Sequence, residues 1–248
     1  MGIQAWERRI GPLPEIDGRG GFETRPHPCE EGGKAILSNS PLQKGDREDL
    51  QTKEVSTQND IHLLGWDGLQ ARVAVCITCA LHKGRTQTVF GVGSRQAQWM
   101  IIGEAPGADE DRQGEPFVGR AGKLLNAMLL AIGLKREEVY IANVVKCRPP
   151  NNRDPLPEEA AACEPYLKRQ IALLQPKVIL VVGRIAAHNL LKTDSTLGAL
   201  RGKRFSYADT SIPVVVTYHP AYLLRSPREK RKAWEDLQFA RRVFSEQK

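Results

Sequence analysis

The chain has 248 residues, a formal net charge of +7 and a hydrophobic content of 41%. This length and composition favour one globular domain with an extension and exclude a chain too polar to build a core. No run of about 18 apolar residues occurs, and the N-terminus lacks the apolar segment of a secretory signal, so we expect a cytoplasmic protein with reduced thiols.

Residues 1–60 differ in composition from the rest of the chain. They are rich in Gly, Pro, Ser, Glu and Gln, a composition typical of a flexible or disordered extension. Residues 61–248 are predicted to form the folded domain. Residues 72–248 carry 28 basic and 17 acidic side chains, a net charge of +11, whereas residues 1–71 carry 8 basic and 12 acidic ones. The basic excess favours binding to a phosphate backbone, although most such charge is simply solvated surface.

The folded domain is predicted to alternate helices and strands. In chain order we predict a short helix from Ile61, a strand over 99–102, a helix over 121–134, a strand over 140–145, a helix over 157–174, a strand over 178–182, a helix over 184–191, a strand over 213–218 and a helix over 226–244 capped by Ser226. Apolar strands separated by helices indicate an α/β fold with a parallel sheet covered on both faces. Ligands of such sheets bind at the carboxyl ends of the strands.

Four of the five cysteines form two pairs. Cys76 and Cys79 form a C-x2-C pair, and fifteen residues lie between Cys147 and Cys163. Four thiolates from two separated pairs can hold zinc or an iron–sulfur cluster, and the loose spacing of the second pair favours the cluster. Four unrelated buried cysteines are the remaining alternative. Cys29 lies in the extension and is expected to be a free thiol.

The segment over 103–122 reads GEAPGADEDRQGEPFVGRAG and is predicted to connect a strand to a helix, as a ligand-binding loop does. It lacks the G-K-[ST] ending of a P-loop. Its carboxylates would repel a phosphate but could stabilise a developing cation or orient a water molecule. A solvated acidic turn and a magnesium site are the alternatives. The carboxylates are Glu104, Asp109, Glu110, Asp111 and Glu115.

Three further residues are candidates for contact with a ligand. Phe117 lies among glycine and polar residues, where its ring is exposed unless a base stacks on it or it plugs the core. Asn143 falls within an apolar strand, where a buried amide must bind a neighbouring loop or a ligand. His219 ends the last predicted strand and precedes Pro220, which holds its backbone extended. A histidine in such a position is either structural or catalytic.

Taken together, these residues closely resemble the family 4 uracil-DNA glycosylases, the iron–sulfur branch of their superfamily. The resemblance covers residues 62–244 and rests on the cysteine quartet and three motifs, which occur in the family's order. The motifs are the GEAPG…ED…PFVGRAG block (103–122), the NVVKCRPPNNRDP block (143–155) and the HPAYLLR block (219–225).

The resemblance implies a three-layer α/β/α sandwich with a central four-stranded parallel sheet. It implies that Cys76, Cys79, Cys147 and Cys163 hold a [4Fe-4S] cluster in a structural role. Uracil flipped out of DNA would stack on Phe117, bind Asn143 and the backbone near Ala105, and accept a hydrogen bond from His219. Glu104 and Glu110 are the implied catalytic carboxylates, and Asp109 stays open as a third candidate. Residues 220–225 would enter the duplex.

The implied reaction is hydrolysis of the N-glycosidic bond of deoxyuridine in single- or double-stranded DNA by a monomer. A related branch captures uracil sites irreversibly through a basic, histidine-containing insertion, and the chain has no such insertion between Glu115 and Cys147, so we expect turnover. Two alternatives stay open. One is a non-catalytic iron–sulfur protein that recognises uracil or damaged DNA, and the other is a zinc-stabilised nucleotide hydrolase that uses the acidic loop with magnesium.

Overall fold

The computed structural model describes residues 60–247, so the predicted extension, apart from Asp60, and Cys29 lie outside the described residues. Strands and helices alternate along the described part. The strands are β1 (Val92–Gly93), β2 (Trp99–Gly103), β3 (Tyr140–Asn143), β4 (Val178–Val182), β5 (Arg204–Ser206) and β6 (Pro213–Thr217). The helices are α1 (Trp66–Ala74), α2 (Ala108–Gln113), α3 (Arg120–Ala131), α4 (Pro157–Leu174), α5 (Arg184–Leu191), α6 (Leu197–Leu200), α7 (Pro220–Arg225) and α8 (Lys230–Ser245).

The strands form one sheet in the order β1-β3-β2-β4-β6-β5. The four central strands are parallel, as predicted: Ile101 lies between Ile141 and Leu180, and Leu180 pairs in turn with Val215. The sheet has six strands rather than four, because β1 and β5 add antiparallel edges. These edge strands have two and three residues and lack the continuous apolar run that marks the central ones, so no sequence pattern predicts them.

Helices cover both faces of the sheet, which confirms the three-layer sandwich. Every residue of the central strands is buried, and alternate residues point to opposite faces. Met100, Ile102 and Ile179 pack with the apolar faces of α1, α4 and α5. Trp99, Ile101 and Leu180 pack with those of α3 and α8. A strand buried on both faces is apolar throughout, which is why β2, β4 and β6 were readable from the sequence.

Three predicted helices have different limits in the structure, among them the helix predicted over 121–134, which ends at Ala131. The closing helix begins at Lys230 rather than at Ser226, because Pro227–Glu229 forms a separate 3₁₀ turn and the Ser226 side chain makes no capping hydrogen bond. The segment from Gly103 to Gly122 is not one loop, since α2 lies within it. The predicted first helix divides into a 3₁₀ turn, Ile61–Leu63, and α1. Within residues 60–247, no helix has the length and hydropathy needed to cross a membrane.

The carboxyl ends of the four parallel strands meet at one edge of the sheet. Gly103 ends β2 directly opposite Asn143, the last residue of β3. Gly183 follows β4, and His219 follows β6 by two residues. The fold therefore gathers the predicted ligand-binding residues at the edge where parallel sheets bind their ligands.

Candidate uracil-binding pocket and cysteine site

A cavity of about 370 Å³ opens at this edge of the sheet. It brings together six residues predicted from the sequence, namely Glu104, Ala105, Glu110, Phe117, Asn143 and His219. A larger cavity of about 460 Å³ lies between α4, α5 and β5 and contains none of the predicted site residues. The predicted residues thus share one pocket, although they come from four separate segments of the chain.

Asn143 lines the pocket and has an unused hydrogen-bonding atom. Its side chain is 2% exposed, and its Oδ1 atom has no hydrogen-bond partner within the described residues. A buried acceptor without a partner carries a desolvation cost, which a ligand with an N–H donor would remove. Gly103 makes the approach possible: a Cβ atom there would lie 2.5 Å from Asn143 Oδ1 and 2.6 Å from Phe117 Cζ.

Phe117 is held in a strained backbone conformation beside the pocket. Its φ of 56° lies in the left-handed region, which a bulky residue rarely occupies. Arg136 donates hydrogen bonds to the carbonyl oxygens of Phe117, at 3.2 Å, and Pro116, at 2.5 Å. The ring is 6% exposed: it packs on the α3 core, which was one of the two alternatives for this residue, and it also lines the pocket.

His219 links β6 to α7 and is fixed in one tautomer. Its Nδ1 atom accepts a hydrogen bond from the backbone N–H of Ala221 at 3.1 Å. Desolvation and the nearby Arg225 cation lower the pKa of His219 to about 4, against a smaller opposing effect of Glu110. The neutral ring therefore carries its proton on Nε2, which leaves this atom as a hydrogen-bond donor. The ring also stands 5.6 Å from that of Phe117, measured between centroids.

The two predicted catalytic carboxylates, Glu110 and Glu104, have different environments in the structure. Glu110 accepts hydrogen bonds from the backbone N–H groups of Gly107, at 3.1 Å, Val118, at 2.9 Å, and Gly119, at 3.0 Å. Glu104 has no hydrogen-bond partner for its carboxylate within the described residues. Desolvation, and then the negative charge of Asp154, raise the pKa of Glu104 to about 7, while Arg184 opposes this shift. Glu110 thus fixes the loop around Phe117, whereas Glu104 is free to act on a ligand.

The remaining carboxylates of the acidic segment point elsewhere. Asp111 is buried and accepts hydrogen bonds from the Thr86 backbone N–H at 2.9 and 3.1 Å. Asp109 forms an ion pair with Arg112 at the surface, and Glu115 is exposed. Within residues 60–247, no group of three or more His, Cys, Asp or Glu side chains is arranged to hold a single metal ion. This geometry gives no support to a magnesium site in the segment.

Four cysteine side chains come together on the other side of β3. Cys76, Cys79, Cys147 and Cys163 line one small cavity and form no disulfide. Cys76 and Cys79 follow α1, Cys147 follows β3, and Cys163 lies within α4. The structure therefore brings the two sequence-distant pairs to one cavity.

A cation and a backbone N–H group donate hydrogen bonds to two of the four sulfur atoms. Arg85 donates to Cys147 Sγ at 3.0 Å, and the backbone N–H of Lys146 donates to Cys163 Sγ at 3.3 Å. The Lys146 side chain is 1% exposed, and its Nζ atom donates to the Asn143 carbonyl oxygen at 2.8 Å and to Gln170 Oε1 at 2.6 Å. Buried cations and N–H donors of this kind suit a group of thiolates that carries net negative charge.

Comparison with known proteins agrees with this geometry. The profile of the uracil DNA glycosylase superfamily matches residues 90–238. A type-4 uracil-DNA glycosylase of Archaeoglobus fulgidus is 48% identical over 168 residues, which are 65% of this chain and 84% of the relative. The chain belongs to the type-4 uracil-DNA glycosylases.

Two other relatives compare this uracil-DNA glycosylase with the type-4 and type-5 enzymes. The type-4 enzyme of Thermotoga maritima is 43% identical over 173 residues, covering 68% of this chain and 90% of the relative. A type-5 uracil-DNA glycosylase of Thermus thermophilus is 36% identical over 118 residues, covering 42% of this chain and 53% of the relative. Similarity is thus both higher and more extensive to the type-4 relatives.

Three residues that shape the uracil-DNA glycosylase pocket were not predicted from the sequence. Gly103 was included only as the first residue of the 103–122 motif, yet Asn143 and Phe117 approach closely because it lacks a side chain. Arg136 lies nineteen residues from Phe117, and no local pattern links the two. Arg153, whose guanidinium pairs with Glu159 at 2.7 Å, also lines the pocket. Only a glycine in an otherwise apolar strand end carried a signal of close approach.

Proposed function

We propose that this chain removes uracil from DNA by hydrolysing the bond between uracil N1 and the sugar C1′, which leaves an abasic site. The observation that carries the proposal is that Phe117, Asn143 and His219 line one cavity, in which Asn143 Oδ1 lacks a partner. In the reaction, the N1–C1′ electron pair leaves with uracil, and a water molecule adds its oxygen to C1′ and loses a proton. The base must leave the helical stack to reach such a pocket.

The pocket selects uracil by complementary hydrogen bonds. Asn143 Oδ1 would accept the uracil N3–H, and the Asn143 amide N–H would donate to O4. Cytosine presents an amino group and an unprotonated N3 at those positions, so both contacts would be mismatched. Phe117 would stack on the base, and the backbone at Ala105 would contact its other edge. The close approach of Phe117 and Asn143 across Gly103 supports binding of one pyrimidine by both side chains.

His219 would stabilise the leaving group. Negative charge develops on uracil O2 as the glycosidic bond breaks, and the His219 Nε2–H would donate to that oxygen. Because Nδ1 is already bonded to the Ala221 N–H, the donor is in place before the reaction begins. A preorganised donor of this kind contributes roughly 3 kcal/mol to the stability of the transition state.

Glu104 would act on the sugar. The sugar becomes positively charged in the transition state, and a carboxylate beside it would oppose that charge and orient the attacking water. Glu104 is suited to this task because its carboxylate is not bound by other groups of the described chain. Glu110 would contribute by holding residues 107 and 118–119 in place through its three hydrogen bonds.

Cys76, Cys79, Cys147 and Cys163 would hold a [4Fe-4S] cluster. Their arrangement around one cavity, the Arg85 hydrogen bond and the Lys146 N–H donor fit such a group. The cluster would supply a covalent connection between α1, the segment after β3 and α4 rather than a redox step. Metal and sulfide analysis of the purified chain tests this assignment, and zinc at one ion per chain would contradict it.

The substrate would be uracil in single- or double-stranded DNA, bound by a monomer through the basic face of the domain. The net charge of +11 over residues 72–248 supports attraction of the phosphate backbone. Residues 220–225 would enter the space that the flipped base leaves, since they follow His219 directly. We place the activity in the cytoplasm, on the nucleoid if the source is bacterial.

An oligonucleotide with one uracil provides the test. After incubation with the protein, alkali cleaves the strand at abasic sites only. Scission at uracil in the presence of EDTA supports a metal-independent glycosylase, whereas binding without scission would support the non-catalytic recognition protein instead. The same strand with thymine or cytosine at that position is the control and is expected to remain intact.

A further inference from the structure

A second cavity adjoins the uracil pocket. It has a volume of about 290 Å³ and lies between the end of β4, the start of α5 and α7. Glu104, His219 and Arg225 line both cavities. We call the second cavity the flanking cleft. Because these three side chains line both cavities, a nucleotide next to a uracil bound in the pocket would lie near the cleft.

One wall of the flanking cleft is a supported aromatic surface. Tyr222 lines the cleft, is 37% exposed and stacks on Tyr218 with ring centroids 5.1 Å apart and planes 24° apart. The guanidinium of Arg201 lies 4.6 Å from the centroid of the Tyr218 ring. Arg201 is itself held by the buried Asp236 through hydrogen bonds of 2.6 and 2.9 Å. These contacts hold the Tyr222 ring in place at the wall of the cleft, and any nucleobase can stack on such a ring.

The charges around the cleft favour a base inside it and a phosphate at its boundary. Glu104 and Asp154 both line the cleft, and the Asp154 carboxylate accepts a hydrogen bond from Arg184 at 3.1 Å. A phosphate in the interior would meet these carboxylates. Arg225 stands where the two cavities meet, and no ion pair joins it to another of residues 60–247. Its guanidinium is thus available to a phosphate between two nucleotides.

We propose, resting on the function proposed above, that the flanking cleft holds the base of the nucleotide next to uracil in the same strand, stacked on Tyr222. Arg225 contacts the phosphate that joins this nucleotide to the uridine. The site accepts all four bases, because stacking does not depend on the hydrogen-bonding edge of the base. It is a binding site for substrate DNA, distinct from the pocket that recognises uracil.

Single-stranded oligonucleotides with one uracil test the proposal on the full chain. In two of them, the 5′ or the 3′ neighbour of uracil is replaced by a tetrahydrofuran residue, which keeps the phosphate and lacks the base. With the wild-type chain, one of the two replacements, 5′ or 3′, is expected to lower kcat/KM about tenfold, mainly by raising KM. In Tyr222→Ala the same replacement is expected to change kcat/KM by less than about twofold, since the ring is already absent. Tyr222→Phe should behave as the wild type.

Two controls isolate the cleft from other effects. Inhibition by free uracil should be the same in Tyr222→Ala and the wild type, because the uracil pocket is intact. Leu130→Ala, which truncates a side chain of similar exposure (39%) on α3, should leave all the rates unchanged.

The proposal is wrong if neither replacement changes kcat/KM in the wild type. It is also wrong if Tyr222→Ala lowers kcat/KM by one factor on all the oligonucleotides, which would indicate a general role in folding rather than contact with the neighbouring base. A wild-type chain that releases no uracil from the unmodified oligonucleotide refutes the proposed function, and this inference with it.

Discussion

Replacing Gly103 by alanine should damage the uracil pocket without unfolding the domain. A Cβ atom at this position would lie 2.5 Å from Asn143 Oδ1 and 2.6 and 2.7 Å from two carbon atoms of the Phe117 ring. Ordinary contacts begin at 3.4 Å, so the Asn143 oxygen and the ring would each have to move by about 0.7–0.9 Å. Both side chains are buried among protein atoms, so the space open to them is the pocket that they line.

The cost of this movement can be divided between stability and activity. Overpacking of one methyl group in a buried site costs about 1–3 kcal/mol of stability, which the domain should survive. Displacement of binding groups by nearly 1 Å can cost about 100-fold in rate. We therefore expect kcat/KM of Gly103→Ala on a uracil-containing oligonucleotide to fall about 100-fold, and inhibition by free uracil to weaken.

The assay combines strand scission after alkali with thermal unfolding of the same preparations. Gly198→Ala is the matched control, because a Cβ atom there meets nothing within 4 Å, and it should leave kcat/KM unchanged. If Gly103→Ala retained kcat/KM within about threefold of the wild type, the pocket formed by Phe117 and Asn143 would not be the uracil site.

Four further outcomes are expected. His219→Ala should lower kcat about 100- to 1,000-fold with DNA affinity nearly unchanged, and an equal loss of both would make His219 structural. Because the pKa of Glu104 is raised to about 7 and its carboxylate form is required, kcat/KM should fall as the pH drops below 7, an inflection that Glu104→Gln should remove. Arg136→Gln should weaken inhibition by uracil about tenfold, because it removes the hydrogen bond to the Phe117 carbonyl oxygen. Unchanged inhibition would show that the Arg136 hydrogen bonds are not needed for uracil binding. Cys79→Ser should lose iron, colour and thermal stability, whereas Cys29→Ser should lose none of them; a stable, coloured Cys79→Ser would exclude the cluster.

The central fold could be predicted because its strands are buried on both faces. Residues 178–182 are apolar without interruption, and the prediction for this strand matches the structure residue for residue. Burial on both sides requires that pattern, so the sequence reports it directly. The exposed edge strand at Arg204–Ser206 alternates between solvent and partial burial over three residues, which is too short a stretch to distinguish from a loop.

The residues of the candidate site could be predicted from the sequence, but the role of each residue could not. Asn143 and His219 follow strands whose carboxyl ends must meet at one edge, and topology alone places them together. The different environments of Glu104 and Glu110 could not be predicted, because they depend on which backbone N–H groups turn towards each carboxylate. The Arg136 clamp on Phe117 was likewise invisible, since it forms only when α3 and the segment after it pack against the pocket loop.

The five residues from Asn143 to Cys147 leave little room for independent change. The backbone N–H groups of Val144 and Val145 donate to the carbonyl oxygens of Gly103 and Glu104. The buried Lys146 ammonium donates a hydrogen bond to the Asn143 carbonyl oxygen. The residue that would select the base, Asn143, and a residue of the cysteine site, Cys147, therefore lie at the two ends of one short, hydrogen-bonded backbone segment. An insertion or deletion within it would disturb both together, so specificity for new bases is more readily gained from the surrounding loops than from this stretch.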